Sequence, residues 1–182
     1  TLSRHDALPC SPLEARQFAP LGALTGGRLA IHVITGGNDI ELQADGDHLT
    51  KAQRYARAAE YIRIVRREWQ SGPAFDHDGA FYRLRGAHAA IRPRQEGSVP
   101  VYFGGASDEA IAVTAELADG YALWGEPLEQ AAELVNRVRN AASLHGRKLR
   151  FSISFRPILA ATEEEAWARA AAIEATLLER QQ

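Results

Sequence analysis

Short apolar runs alternate with longer amphipathic stretches along almost the whole chain, and this alternation constrains the fold more than any other feature. It is the pattern of parallel strands joined by crossover helices. Residues 29–35 read as a strand, apolar apart from His32 and polar Thr35 and closed by Gly36–Gly37. Near-continuous apolarity marks a strand covered on both faces, so His32 is expected as a hydrogen-bonded core histidine. Residues 99–103, 120–124 and 151–160 supply three more strands. Helices are expected over 12–24, with Ser11 as N-cap and Gly26–Gly27 as the stop, and over 50–68. In the latter, Tyr55, Ala58, Ala59, Ile62, Val65 and Trp69 recur at helical spacing before Ser71–Gly72–Pro73. Further helices are expected over 108–117 and 128–145, and a last one from Thr162, with Glu163 to Glu165 in its first turn. The polar segment 38–49, with Gly46, reads as a loop, and 75–84 as a hairpin insertion around Asp78–Gly79. There is no tandem repeat and no low-complexity tract.

Four parallel strands with helices after each suit either a small doubly wound sheet or part of an eight-stranded barrel. A complete (β/α) barrel needs at least about 200 residues, and this chain has 182. The chain contains no Met and begins with Thr1, which points to a trimmed start or a piece of something longer.

Composition removes several function classes. Lys plus Arg total 21 against 23 Asp plus Glu, a balance unsuited to nucleic acid or an anionic membrane as the main partner. No apolar run approaches the roughly 20 residues that span a bilayer. Thr1 to Cys10 lacks the segments of a signal peptide, so a soluble, cytoplasmic protein is expected. Cys10 is the only cysteine, which excludes an internal disulfide and a cysteine-rich metal site. No His, Asp and Glu cluster has metal-ligand spacing; Asp76–His77–Asp78 reads as a solvated turn.

In both candidate folds ligands bind at the carboxyl ends of the strands. The most informative such end is Gly104–Gly105–Ala106–Ser107. Two glycines let a backbone approach a ligand, and Ser107 stands at a helix N-terminus whose free N–H groups favour an anion. A phosphate seat and an ordinary turn capped by Ser107 both fit. No Lys follows the glycines, so this is not a Walker A loop, nor is it a dinucleotide fingerprint. Arg54 and Tyr55 open a helix from which a guanidinium and a phenol reach toward an anion. Ser152, Ser154 and Arg156 share one face of the fourth strand, and that polar row suggests a wet pocket.

Taken together, residues 29–38 (LAIHVITGGN), Asp45–Gly46, Arg54–Tyr55, residues 102–108 (YFGGASD) and residues 123–127 (LWGEP) resemble the bacterial luciferase-like flavin-dependent monooxygenases. The nearest branch by resemblance is the alkanesulfonate monooxygenases. The resemblance runs in order through His145–Gly146–Arg147 and Glu165–Ala166–Trp167. It implies an α/β fold, a partial TIM barrel of about four parallel strands with a small hairpin insertion, residues 1–182 forming one domain from the barrel's centre. It also implies reduced FMN from a separate NAD(P)H:FMN reductase, O₂ and a small organic substrate, possession of no metal, and a homo-oligomer when full length. By position, Gly104, Gly105, Ala106 and Ser107 would hold the FMN phosphate, with Tyr55 and Arg54 completing the seat. Thr35 would lie near the flavin rings, and Trp124 and Glu126 would shape the substrate mouth. Typical alkanesulfonate monooxygenases carry an Arg and, two residues later, a His on the fourth strand. Here Ser154 and Arg156 stand there, so the positive charge is shifted by two residues and Arg156 is the candidate catalytic cation. Two other functions fit the same residues: a deazaflavin-dependent reductase or dehydrogenase of the same superfamily, and a non-catalytic half-barrel module.

Overall fold

The computed structural model describes residues 11–70, 72–93 and 98–180. Cys10, the segment before it, and Ser71 of the expected helix stop lie outside the described residues. In chain order the elements are α1 (Ser11–Leu24), β1 (Ile31–Val33), α2 (Asp39–Ala44), α3 (Lys51–Trp69), β2 (Phe75–Asp78) and β3 (Arg83–Ala87). They continue with β4 (Val101–Gly104), α4 (Asp108–Leu117), β5 (Gly120–Trp124), α5 (Leu128–Leu144), β6 (Arg150–Ser154) and α6 (Glu163–Arg180).

Strands β1, β4, β5 and β6 form one parallel sheet in that order, and β2 pairs with β3 as an antiparallel hairpin. Register aligns Val33 with Phe103, Phe103 with Tyr121, and Tyr121 with Phe151. Side chains alternate between the faces of a strand. Val101, Phe103, Tyr121 and Leu123 therefore share one face, where they are buried against Ala110, Ile111, Val113 and Leu117 of α4 and Val138 of α5. The other face carries His32, Tyr102, Ala122, Trp124, Ser152 and Ser154, all exposed or half-buried. Sequential strand order with helices on a single face is an arc of a (β/α) barrel. A doubly wound sheet places helices on both faces, which removes that alternative.

The amino ends of the strands are tied by one carboxylate. Asp119 accepts hydrogen bonds from Val101 N at 2.9 Å, Arg66 Nη2 at 2.7 Å and Arg147 Nη2 at 3.2 Å. Arg66 also donates to Leu117 O and Arg147 to Ala118 O. Helix α3 thus ends beside the start of β5, and its own start lies at the opposite end of the sheet. That start is fixed by a capping box, Thr50 accepting from Gln53 N and Gln53 from Thr50 N.

Four expectations need correction. His32 is not a core histidine: strand parity turns it to the face away from the helices, where it is exposed. The segment 38–49 is not all loop, because Asn38 accepts from Ile40 N and Glu41 N and starts α2. The fourth strand stops at Ser154, not 160. Its last partner is Trp124, β5 ends there, and Pro157 has no N–H to continue a ladder. Ser11 lies inside α1 instead of capping it. The hairpin is present, with Gly79 N donating to Tyr82 O. Asp76, His77 and Asp78 serve structure: Asp76 accepts from Gly86 N, His77 meets Glu60 and Asp78 meets Arg85.

Candidate active site

The glycine turn after β4 is held by two tyrosines from different elements. Gly105 has φ +123°, a conformation side chains rarely allow. A Cβ there would lie 2.9 Å from Ala110 Cβ and 3.1 Å from the Tyr55 hydroxyl. Tyr55, from the start of α3, is only 8% exposed, and its hydroxyl has no hydrogen-bond partner among the described residues. Tyr121 of β5 donates from its hydroxyl to Gly105 O at 2.7 Å. Burial raises the Tyr121 pKa, so it remains a donor through the neutral range.

Ser107 is the N-cap of α4, its Oγ accepting from Ala110 N at 3.4 Å. The other N–H groups of that first turn have no helical acceptor and lie beside the turn. Two carboxylates share the turn. Asp108 is paired with Arg137 at 2.8 Å. Glu109 is held below its usual pKa by its own backbone N–H first and by the Ser107 hydroxyl second, with Lys51 adding attraction. An incoming anion thus meets Lys51 and Arg137 as well as these acids.

Arg54 sits beside Tyr55 but is turned elsewhere. Its guanidinium is buried, donating to Asp39 Oδ1 and to Leu49 O, both at 2.7 Å. It fastens the segment after β1 to α3. Thr35, in that segment, is half-buried just past the end of β1.

The open sheet face forms a hollow of about 310 Å³ bordered by His32, Tyr102, Ala122, Ser152 and Ser154. Gly120 leaves room for the Tyr102 ring, which occupies the space of a Cβ there. The His32 ring lies next to Gly104. The protein beneath it lowers its pKa by desolvation although its outer surface is exposed, so the ring is neutral at pH 7. At the carboxyl end Trp124 is 68% exposed, and the Arg156 guanidinium stacks over it at 5.7 Å. Ser154 is the register partner of Trp124, and Glu126 is exposed on the following turn.

The sequence-expected residues fall into two groups at the carboxyl end of the sheet: Tyr55, Gly104, Gly105, Ala106 and Ser107 around the turn, and Trp124, Ser154 and Arg156 at the mouth. Tyr121, Tyr102 and His32 were not assigned to the site from sequence. Parity would have put Tyr102 and His32 on the face of Ser152 and Ser154 once the register was known. For Tyr121 no sequence signal existed, because its packed ring hides the use of its hydroxyl.

The sequence profile described as Luciferase-like monooxygenase matches residues 11–182. The chain belongs to that family. Solved structures of other proteins share the fold. A riboflavin lyase (RcaE), solved with modified FMN and riboflavin, superimposes with TM-score 0.80 and 22% identity over 92% of this chain and 42% of its own. EDTA monooxygenase (EmoA) from Chelativorans sp. BNC1 gives TM-score 0.78 and 23% identity over 93% and 45%. An F420-dependent secondary alcohol dehydrogenase gives 0.70 and 18% over 79% and 44%. The chain thus spans less than half the length of each. Among the described residues no helix is long and apolar enough to cross a membrane.

Proposed function

We propose that this luciferase-like chain supplies the flavin-phosphate seat and one wall of the substrate pocket in a two-component, FMN-dependent monooxygenase. The observation that carries this reading is the Gly105 turn. A glycine with positive φ, a tyrosine hydroxyl without a partner among the described residues and the N-terminus of α4 converge at the end of a barrel strand, a fit for a phosphomonoester. Gly104, Gly105, Ala106 and Ser107 hold the phosphate through backbone N–H groups and the Ser107 hydroxyl, and Tyr55 donates its hydroxyl. When bound, reduced FMN supplies the electrons for O₂ activation. The family resemblance brings with it a reductase that delivers the cofactor in the cytoplasm and assembly of the complete protein as a homo-oligomer.

The open face does the rest of the work assigned to this chain. Tyr102 and neutral His32 flank the hollow and offer hydrogen bonds to a flavin edge or substrate. Arg156, steadied on Trp124, orients a small anionic substrate at the mouth, with Ser154 and Glu126 beside it. An organosulfonate is the substrate class that the sequence resemblance suggests.

Replacing Ser107 with Asp tests the seat. Asp caps a helix as well as Ser does but stands beside Asp108 and loses the bond to Glu109, so the thermal midpoint falls only slightly. The added charge weakens FMN binding by about tenfold or more, since each 1.4 kcal/mol of repulsion is a factor of ten. Riboflavin, which lacks the phosphate, binds as before. Equal FMN affinity in the two proteins by fluorescence titration would remove the phosphate from this turn, and a parallel titration with a deazaflavin decides between the two cofactor types.

A further inference from the structure

We infer that Tyr121 is a positioning residue that sets the polarity of the Gly105–Ala106 peptide and thereby aims an N–H at the bound phosphate. The inference rests on the phosphate-seat reading above and adds a residue that nothing in the sequence assigned to it. A trans peptide is planar, with its C=O and N–H pointing in opposite directions. The Tyr121 hydroxyl holds Gly105 O at 2.7 Å, so the Ala106 N–H in the same plane points away from Tyr121.

Among the described residues no other hydrogen bond holds the Gly105 carbonyl. Gly105 is exposed, and a glycine peptide flips more readily than any other because no Cβ resists it. Flipped, the unit would present a carbonyl to an anion and repel it. The Tyr121 ring is 1% exposed, packed with Ile111, Leu123 and Val138, and it meets the Phe151 ring edge-on at 6.2 Å. It cannot follow a flipped peptide. The donor is therefore anchored to the sheet core, and its one described hydrogen bond goes to the turn. The Tyr55 hydroxyl also borders Gly105, 3.1 Å from where a Cβ would stand. One tyrosine fixes the turn and the other stays free for the ligand.

The test is Tyr121→Phe, which removes the hydroxyl and keeps the ring. FMN and riboflavin are titrated by fluorescence quenching, inorganic phosphate is used as a competitor of FMN, and the thermal midpoint is recorded. The expected result is a fall of about tenfold in FMN affinity and a weaker phosphate competition, with riboflavin affinity unchanged. A purely structural role would lower both flavin affinities together. Wild-type preference for FMN that persists in the variant overturns the positioning role and leaves the seat standing. A wild-type protein that binds FMN and riboflavin equally overturns the seat, and this inference with it. Should Tyr121→Phe fail to fold, Gly105→Ala perturbs the same peptide with Tyr121 intact, and an unchanged FMN-to-riboflavin ratio there overturns the inference as well.

Discussion

At the amino end of the sheet, Asp119 gathers a backbone N–H and two guanidinium groups, and those guanidinium groups also satisfy carbonyls at the end of α4. At the carboxyl end, the Tyr55 hydroxyl has no described partner, Gly105 takes a positive φ that favours glycine and Trp124 stands in solvent under Arg156. Both ends are built on the same four strands. One is closed by charges that answer one another, with Arg66 Nε, Arg147 Nε and the Glu68 carboxylate left without a hydrogen-bond partner there among the described residues, and the other is left with a free hydroxyl and open surface. In a (β/α) barrel this is the division between stability and chemistry. The difference teaches that polarity alone does not mark a site: the charges gathered on Asp119 at the amino end answer one another.

Asp119→Ala carries the largest expected effect. It leaves Val101 N without its acceptor and two arginines with one partner fewer, a loss of about 2–3 kcal/mol given 1.5–3 for hydrogen bonds to charged groups. Urea unfolding measures it as a lower midpoint. Flavin affinity at low temperature stays the same, because the turn at Gly105 lies at the far end of the strands. A matching loss of FMN affinity would break the comparison, showing that the two ends are mechanically one.

Glu68 is the acidic exception at the amino end, where Arg66 Nε and Arg147 Nε are also buried without a hydrogen-bond partner among the described residues. It is 3% exposed near the end of α3, and neither carboxylate oxygen has a hydrogen-bond partner among the described residues. Burial raises its pKa, and Arg16 and His88 offset this only in part. A carboxyl whose folded pKa is raised costs nothing while it is protonated in both states. As pH rises above the ordinary value of 4.5, the unfolded chain ionises first and stability falls, until the folded pKa is passed and the loss is complete. Glu68→Gln is therefore expected to leave the thermal midpoint unchanged near pH 4 and to raise stability by about 1 kcal/mol at pH 7, within the usual range for one unsatisfied buried polar group. A variant less stable than wild type at pH 7 would mean that the carboxylate is satisfied after all and that this end is closed throughout.

How much of this was legible beforehand follows the same division. Helix 108–117 and strand 120–124 were fixed to the residue by local signals: Ser107 as a cap, Gly120 and Gly125 as punctuation. Sequence extends the fourth strand too far because residues 155–160 are largely apolar, and it does not show that β5 ends at Trp124 and leaves them unpaired. His32 was misplaced for a related reason. An apolar run looks covered on both faces, but only the tertiary arrangement shows that one face meets no helix among the described residues. At the site, glycines and Ser107 announced the turn. The commitments of side-chain atoms did not show: Arg54, an anion binder by composition, spends its guanidinium on Asp39 and Leu49. Tyr121, a core aromatic by composition, gives its hydroxyl to the turn.

Arg156→Ala has the smallest expected effect on stability and is the most selective probe of the open end. The guanidinium has one described contact, the Trp124 ring at 5.7 Å. An exposed cation–π contact contributes about 0.5–1 kcal/mol. Much of that is recovered by hydration when the side chain is removed, so unfolding should shift by less than about 0.5 kcal/mol, as for surface changes generally. FMN affinity is expected to hold, because the phosphate turn is built by other elements. What changes is substrate handling: with an anionic substrate kcat/KM falls, chiefly through KM, and with a neutral analogue it stays near wild type. Arg156→Lys keeps the charge but loses the planar stack on Trp124, and should recover part of the anionic activity. If the alanine variant handles anionic and neutral substrates alike, in the same ratio as wild type, the guanidinium is a solvated surface group. The open end would then contribute its backbone turn and tyrosines to the chemistry, and no cation of its own.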